Sequence, residues 1–494
     1  MKPLDGIKII DLSTLLPGPM ATLILADAGA EVIKIEKPGG EDMRRSPPFI
    51  EGESILFGLL NKGKRSIELD IKSKAGYNKI INLIKSADIV IDQFRPGVMK
   101  RLGLDFKSLV KIKPNIIHCS ITGYGQTGPK KLVAAHDLNY MAESGLLSLS
   151  REKDGSPAMP NTQIADIAGG SYPAIINILL ALREVEKTGQ GKFLDISMTD
   201  NLFPFMWMAL GLTTNNYYSK GGDLQLTGAS PRYGIYETLD KGYIALGALE
   251  EKFWLRFCKV INLPQDFIND KVDPNASKTA IIKLIKDEKT EYWKEVLAKE
   301  TDICCSIVSS LEEAMSNAQI IERELLTAKM QLGTKKISAM PTPLAPIWKP
   351  KDIIKSAPKL GEAKYFLYGK TMTNKNIYII SESFSLEDNN KLLNNKNIFI
   401  NNIIVKDDAS SAKALLDVSK NADLIIIVDC NFSTIAKTIK AVNDIIAPII
   451  YCSINNLEIQ NNKNSIISFV PYVIHGYKEQ TNNILLKTIE KILQ

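Results

Sequence analysis

Short apolar runs and amphipathic stretches alternate along the first part of the chain. "GIKIIDL", "EVIKIE", "RSIELDI", "DIVIDQF" and "NIIHCSI" are rich in Ile and Val, and each predicts a strand. "MATLILADAGA", ending in Gly29, and "AGYNKIINLIKSA" carry helical spacing, and "LLPGP" predicts a turn. Strands alternating with helices predict parallel βαβ units, hence a Rossmann-like α/β domain with a doubly wound sheet. The turn after the first strand reads "STLLPGP" rather than G-x-G-x-x-G, which argues against a plain NAD site.

Further on, Ala168 to Val185 predicts a long apolar helix stopped at Gly189, and "KFLDISM" returns as a strand. From Gly228 the pattern changes. "YGIYETLDKGYIALGAL" predicts two strands joined by a tight "DKG" turn, and "EEKFWLRFCKVI" a helix. This predicts a small α+β domain running to Gln331, with the proline-rich "MPTPLAPIWKP" leading back to the first domain. From Lys370, "NIYIIS", "NIFINNIIV", "ADLIIIVD", "PIIYCSI" and "SIISFV" predict strands, and "SAKALLDVSKN", "STIAKTIKAVNDII" and "TNNILLKTIEKIL" helices. The expected organisation is therefore a large domain over 1–227, a small domain over 228–331, a return segment over 332–365 and a C-terminal α/β domain over 370–494.

Composition adds limits. Of 494 residues, 45% are hydrophobic and 23% charged, as in globular chains. The formal charge of +6 is spread out, without the dense basic block that grips nucleic acid, so no nucleic-acid partner is expected. Cys119, Cys258, Cys304, Cys305, Cys430 and Cys452 form no CxxC pair, so neither a metal site nor a disulfide framework is expected. "MKPLDGIKIIDL" is neither a signal nor a transit peptide, and no apolar run reads as long enough to span a bilayer. The expectation is a cytoplasmic protein without a membrane partner.

Candidate chemistry is sparse. The chain has three histidines. His118 and His475 sit in strand-like runs, whereas His136 precedes Asp137 at the head of "HDLNYMAESG". That pair reads either as a reactive imidazole beside an acid or as a helix start capped by Asp137. Asp166 in "NTQIADIAGGSYPA" lies at a helix start, where the dipole stabilises a carboxylate. Gly169 and Gly170 beside it leave room for close approach to the backbone. Glu250 ends an apolar strand next to Glu251. Lys34, Lys37, Arg44, Arg45, Lys62, Lys64, Arg65, Arg95, Lys100 and Arg101 put positive charge in the first domain, several after strands, where phosphates bind or where a basic face is simply solvated.

The ordered blocks "LDGIKIIDLSTLLPGPMATLILADAGAEVIKIEKPGGED", "NKGKRSIELDIKS", "RPGVMKRLGL", "ITGYGQTGP", "EKTGQGKFLDISM" and "APKLGE" extend from Leu4 to about Glu362. Over that span the chain resembles the family III CoA transferases, and among them the α-methylacyl-CoA racemases. The resemblance implies an interlocked homodimer and coenzyme A held near Lys37, Arg44, Arg95 and Arg101, with Gly125 and Gln126 in the adjoining turn. It implies no metal and no cofactor beyond coenzyme A carried by the substrate. The His-Asp pair at 136–137 is racemase-like where transferases have Tyr-Asp, and "GALE" matches a racemase block at Glu250. The longer loop "PGGEDMRRSPPFIEGESILFGLLNKGKRS" is common among transferases.

In the racemase reading His136 and Asp166 are the two bases, Glu250 supports the site and the backbone N–H of Asp137 meets the enolate oxygen of a 2-methyl-branched acyl-CoA. In the transferase reading Asp166 is the nucleophile and forms an aspartyl-CoA thioester. An inactive CoA-binding scaffold is the third reading.

Overall fold

The structure, a computed structural model, describes residues 2–152, 154–349 and 355–363, together with the backbone of five strands beyond them. The chain divides into two compact units, Met1–Gly361 and Glu362–Gln494.

The first unit is built on β1 (Lys8–Asp11), β2 (Glu31–Glu36), β3 (Arg65–Glu68), β4 (Ile89–Asp92), β5 (Ile117–Thr122) and β6 (Lys192–Ser197). They form one parallel sheet in the order β3-β2-β1-β4-β5-β6. On one face Ile9, Val32, Ile89, Ile91, Ile117 and Cys119 share a core with Ala21, Leu25, Ala174 and Ile178 of two helices. Ile10, Ile33, Ile67 and Val90 are buried as well. Burial on both faces explains why the strands read as continuous apolar runs rather than alternating ones. The order reverses between β1 and β4, and the crevice outside their carboxyl ends is where such sheets bind ligands.

Helix α1 spans Pro17–Asp27 and is buried throughout. The expected "LLPGP" turn thus ends earlier, because proline's fixed φ suits the first helical position. The long helix also starts earlier than Ala168. Ala165–Ser171 is wound as a π-helix, and α2 continues from Tyr172 to Thr188, closed by Gly189 at φ 67°. The joined stretch Ala165–Thr188 is long and apolar enough to cross a membrane by length and composition, which corrects the expectation that no run is. Its residues Ala174, Ile178 and Ala181 pack in the core, while Ile176 and Leu180 are exposed.

Tyr233–Glu237, Tyr243–Gly247 and Cys305–Ile307 form a three-stranded antiparallel sheet. With helices Glu251–Val260 and Pro274–Lys286 it buries Trp254, Phe257, Ile281 and Trp293. In the "DKG" turn the left-handed residue is Lys241, at φ 63°. Gly242 serves close packing instead, since a Cβ there would lie 2.0 Å from Thr290 Oγ1. Strand Lys329–Leu332 already packs back on helix Ile55–Asn61 through Met330 and Leu332.

The second unit has a five-stranded parallel sheet. Its order is Ile398–Ile404, Lys375–Ser381, Leu424–Val428, Ile449–Ser453, Tyr472–His475. The expected "SIISFV" strand and the three expected helices lie outside the described residues.

Candidate active site

The site is organised by α3 (Asp137–Ser144), whose N-cap is His136. The cap position therefore belongs to His136, and Asp137 is the first helical residue. The His136 N–H donates to Asn139 Oδ1 at 3.0 Å, and the Tyr140 hydroxyl to the Ala135 carbonyl at 2.7 Å, which anchors the backbone on either side of the imidazole. The His136 side chain is exposed.

The Asp137 carboxylate caps a different helix. Its Oδ1 accepts the backbone N–H of Asp166 at 2.9 Å. Asp137 is thus peptide-bonded to His136 and hydrogen-bonded to Asp166, and this brings together residues thirty positions apart in sequence. Its own backbone N–H has no acceptor among the described residues, as expected at a first helical position.

The electrostatics of Asp166 differ from the expectation. A helix start was to favour its carboxylate, yet its pKa is pushed up to about 7, first by burial and then by the neighbouring Asp137 charge. Desolvation and a like charge outweigh the dipole of a short π-wound turn. Burial also raises Asp137. Tyr140, beside both, is pushed up to about 12 by burial first and then by Asp166. Gly169 and Gly170 are explained by the protein's own packing. A Cβ at Gly169 would lie 2.4 Å from the Met198 carbonyl oxygen, and one at Gly170 would lie 3.1 Å from Met198 Cγ and from Pro17 Cβ.

Glu250 holds the N-cap position of helix Glu251–Val260 without a side-chain capping bond, and it is exposed. No hydrogen bond or ion pair joins it to His136, Asp137 or Asp166 among the described residues.

The basic residues separate into classes. Lys34, Lys62 and Lys64 are buried against carboxylates. The Arg44 guanidinium is committed. It forms two 2.7 Å bonds to Glu36, donates to the Pro358 carbonyl at 3.0 Å and lies 3.8 Å over the Phe57 ring. Lys37 is exposed and paired with Asp42 at 3.1 Å. Arg95 and Arg101 are exposed, without a hydrogen bond or ion pair among the described residues.

A cavity of about 310 Å³ lies beside the carboxyl end of β4, and His118 and Ser120 of β5 line it as well. Arg95 and Lys100 supply charge, Phe94 and Phe106 aromatic wall, and Gln126 lines it too. Gly125, at φ 77°, turns the chain there, and the Gln126 N–H donates to Asp195 at 3.0 Å. Two lining residues escaped the sequence reading. His118 Nε2 lies 2.7 Å from Asp92 Oδ2, and its Nδ1 is buried without a partner. The available signal was Asp92 itself, an acid closing an apolar strand at its ligand-binding end.

At the sheet's reversal, α1 offers little to a phosphate. Pro17 and Pro19 have no N–H, the Gly18 N–H donates to Gln93 Oε1 at 3.1 Å, and the Met20 N–H donates to the Leu16 carbonyl at 2.9 Å. The missing glycine fingerprint thus corresponds to a helix start with its donors absent or occupied.

Comparison with known proteins agrees with this architecture. The pattern of CoA-transferase family III matches residues 4–364, so the chain belongs to that family. Succinyl-CoA:glutarate CoA-transferase of Mus musculus is 34% identical over 351 residues, covering 68% of this chain and 79% of the relative. Alpha-methylacyl-CoA racemase of Homo sapiens is 31% identical over 349 residues, covering 69% and 86%. A crystallised CAIB/BAIF family protein from Brucella suis superposes with a TM-score of 0.62 at 26% identity, covering 73% of this chain and 97% of its own. The family includes both CoA transferases and racemases, and the chain is an enzyme of this kind.

Proposed function

We propose that this family III enzyme interconverts the two configurations of 2-methyl-branched acyl-CoA thioesters, with His136 and Asp166 as the two bases on opposite faces of the α-carbon. The observation that carries this reading is the double attachment of Asp137, to His136 by the peptide bond and to Asp166 by a 2.9 Å hydrogen bond. A carboxyl group with a pKa near 7 is poised both to give and to take a proton at neutral pH. One group removes the α-proton from one face, the enolate forms, and the other returns a proton to the opposite face. The unused backbone N–H of Asp137 suits the enolate oxygen.

Coenzyme A would lie along the crevice, its nucleotide end in the cavity between Phe94 and Phe106 with Arg95 and Lys100 at its phosphates. The chain would act as an interlocked dimer. Ile176, Leu180, Phe205 and Trp207 are exposed and apolar, and a second chain would cover them. In such a dimer Glu250 would reach the site from the small domain.

CoA transfer through Asp166 is the second reading. Its support is the 34% identity to a succinyl-CoA:glutarate CoA-transferase and the presence of the longer loop. Incubating the enzyme with one enantiomer of a 2-methylacyl-CoA in deuterated water separates the two. Racemisation predicts deuterium at the α-carbon and loss of optical purity without any acceptor acid. No exchange, with CoA passing to succinate or glutarate, would establish transfer instead.

A further inference from the structure

The segment Ser13–Gly18 leaves β1 at the reversal of strand order and carries a residue in an unfavourable conformation. Leu15 has φ 62°, a left-handed value that a leucine adopts only when held there. Its side chain is 41% exposed, so core packing does not hold it. Buried groups hold the backbone instead. The Leu15 N–H donates to Glu41 Oε2 at 3.0 Å. Glu41 is 1% exposed, and its other oxygen lies 3.2 Å from Lys34 Nζ, which donates to the Ser13 carbonyl at 2.8 Å. From the opposite side Gln93 Oε1 accepts the N–H groups of Thr14 at 3.2 Å and Gly18 at 3.1 Å. Ser171, in the same π-wound turn as Asp166, donates to the Pro17 carbonyl at 2.8 Å.

A buried carboxylate and a buried ammonium are costly to place, and here both act on one short loop. Glycine or asparagine would take this φ more readily. A leucine held there by such a pair points to a use for the position of its side chain at the mouth of the crevice.

We infer that Glu41, seated on Lys34, is a positioning residue that fixes Leu15 in its left-handed conformation, so that the leucine side chain forms a rigid apolar wall against the arm of an acyl-CoA thioester. The contact with a thioester rests on the function proposed above; the tether itself does not.

The test is a double-mutant cycle of Glu41→Ala and Leu15→Gly in the full chain. Glu41→Ala alone should raise KM for a 2-methylacyl-CoA about tenfold, with kcat changed less than about threefold, because a binding wall rather than a reacting group is loosened. In the Leu15→Gly background the same substitution should cost less than about twofold, since glycine holds a positive φ without help. An equal cost in both backgrounds overturns the inference, and so does a Glu41→Ala chain that is insoluble in both, because the carboxylate would then serve Lys34 alone. Amide hydrogen exchange at Leu15 gives a readout free of substrate. It should be at least about tenfold faster in Glu41→Ala than in the unmutated chain, and unchanged exchange overturns the tether. Failure of the unmutated enzyme to bind CoA thioesters would refute the proposed function and the substrate contact, while the exchange measurement would still decide the tether.

Discussion

The carboxylate of Asp137 holds the backbone N–H of Asp166 at 2.9 Å and sets a negative charge beside the Asp166 side chain. One residue therefore fixes the position of a neighbouring acid and raises its affinity for a proton. The titratable groups of α3 nearest Asp166 are Asp137 and Tyr140, and no cation contributes to its shift. Asp137→Asn keeps an oxygen to accept the N–H and removes the charge. The pH at which Asp166 titrates should fall by about one unit, read from the acidic limb of the α-proton exchange rate against pH. A limb that stays in place would mean burial alone sets the value.

Asp166 also links pH to stability. Its folded pKa of about 7 lies above the ordinary 3.8, so the folded state holds the proton more tightly than the unfolded chain. Stability is then lost progressively as pH rises from the ordinary value through about 7, and none of this loss is present below it. Asp166→Asn should be more stable than the unmutated chain by about 1–2 kcal/mol at pH 8, allowing for partial solvent screening. The advantage should vanish near pH 4, as measured by thermal unfolding at both values.

Gly169 and Gly170 should differ in tolerance. An added methyl at Gly169 meets a backbone carbonyl, which cannot swing aside, whereas at Gly170 it meets the flexible Met198 side chain and the edge of Pro17. Gly169→Ala should cost about 3 kcal/mol and Gly170→Ala about 1 kcal/mol. Urea unfolding midpoints with equal slopes would check the order.

Arg44 and Arg95 should separate stability from binding. Arg44→Ala leaves Glu36 buried without its guanidinium, so it should lower stability by about 2–3 kcal/mol. Arg95 makes no comparable contact. Arg95→Ala should leave the melting temperature nearly unchanged and weaken coenzyme A binding about tenfold, measured by calorimetry. The opposite assignment of losses would show that the cavity beside Arg95 is not where coenzyme A binds.

The chain's own pattern determined the elements of its first unit. Ile- and Val-rich runs such as "KIID" and "IVID" can be buried only in a sheet covered on both faces, and the helices between them force parallel crossovers. The same pattern announced His136 and Asp166 as candidates, because an acid and an imidazole at the heads of apolar segments stand out in sequence. It could not tell which acid caps which helix. One reading had Asp137 cap its own helix; it caps the turn that carries Asp166 instead, since a carboxylate's partner is set by what the fold carries to within 3 Å of it. Nor could residue type divide the lysines. Lys34 and Lys37 lie in one short stretch, yet Lys34 is buried against Glu41 while Lys37 is exposed. Lys34 lies inside β2, which is covered on both faces, whereas Lys37 lies just past its end in an exposed turn. The proton affinity of Asp166 was decided at the same level, because desolvation and the charge of Asp137 act through space and exist only once the chain has closed around them.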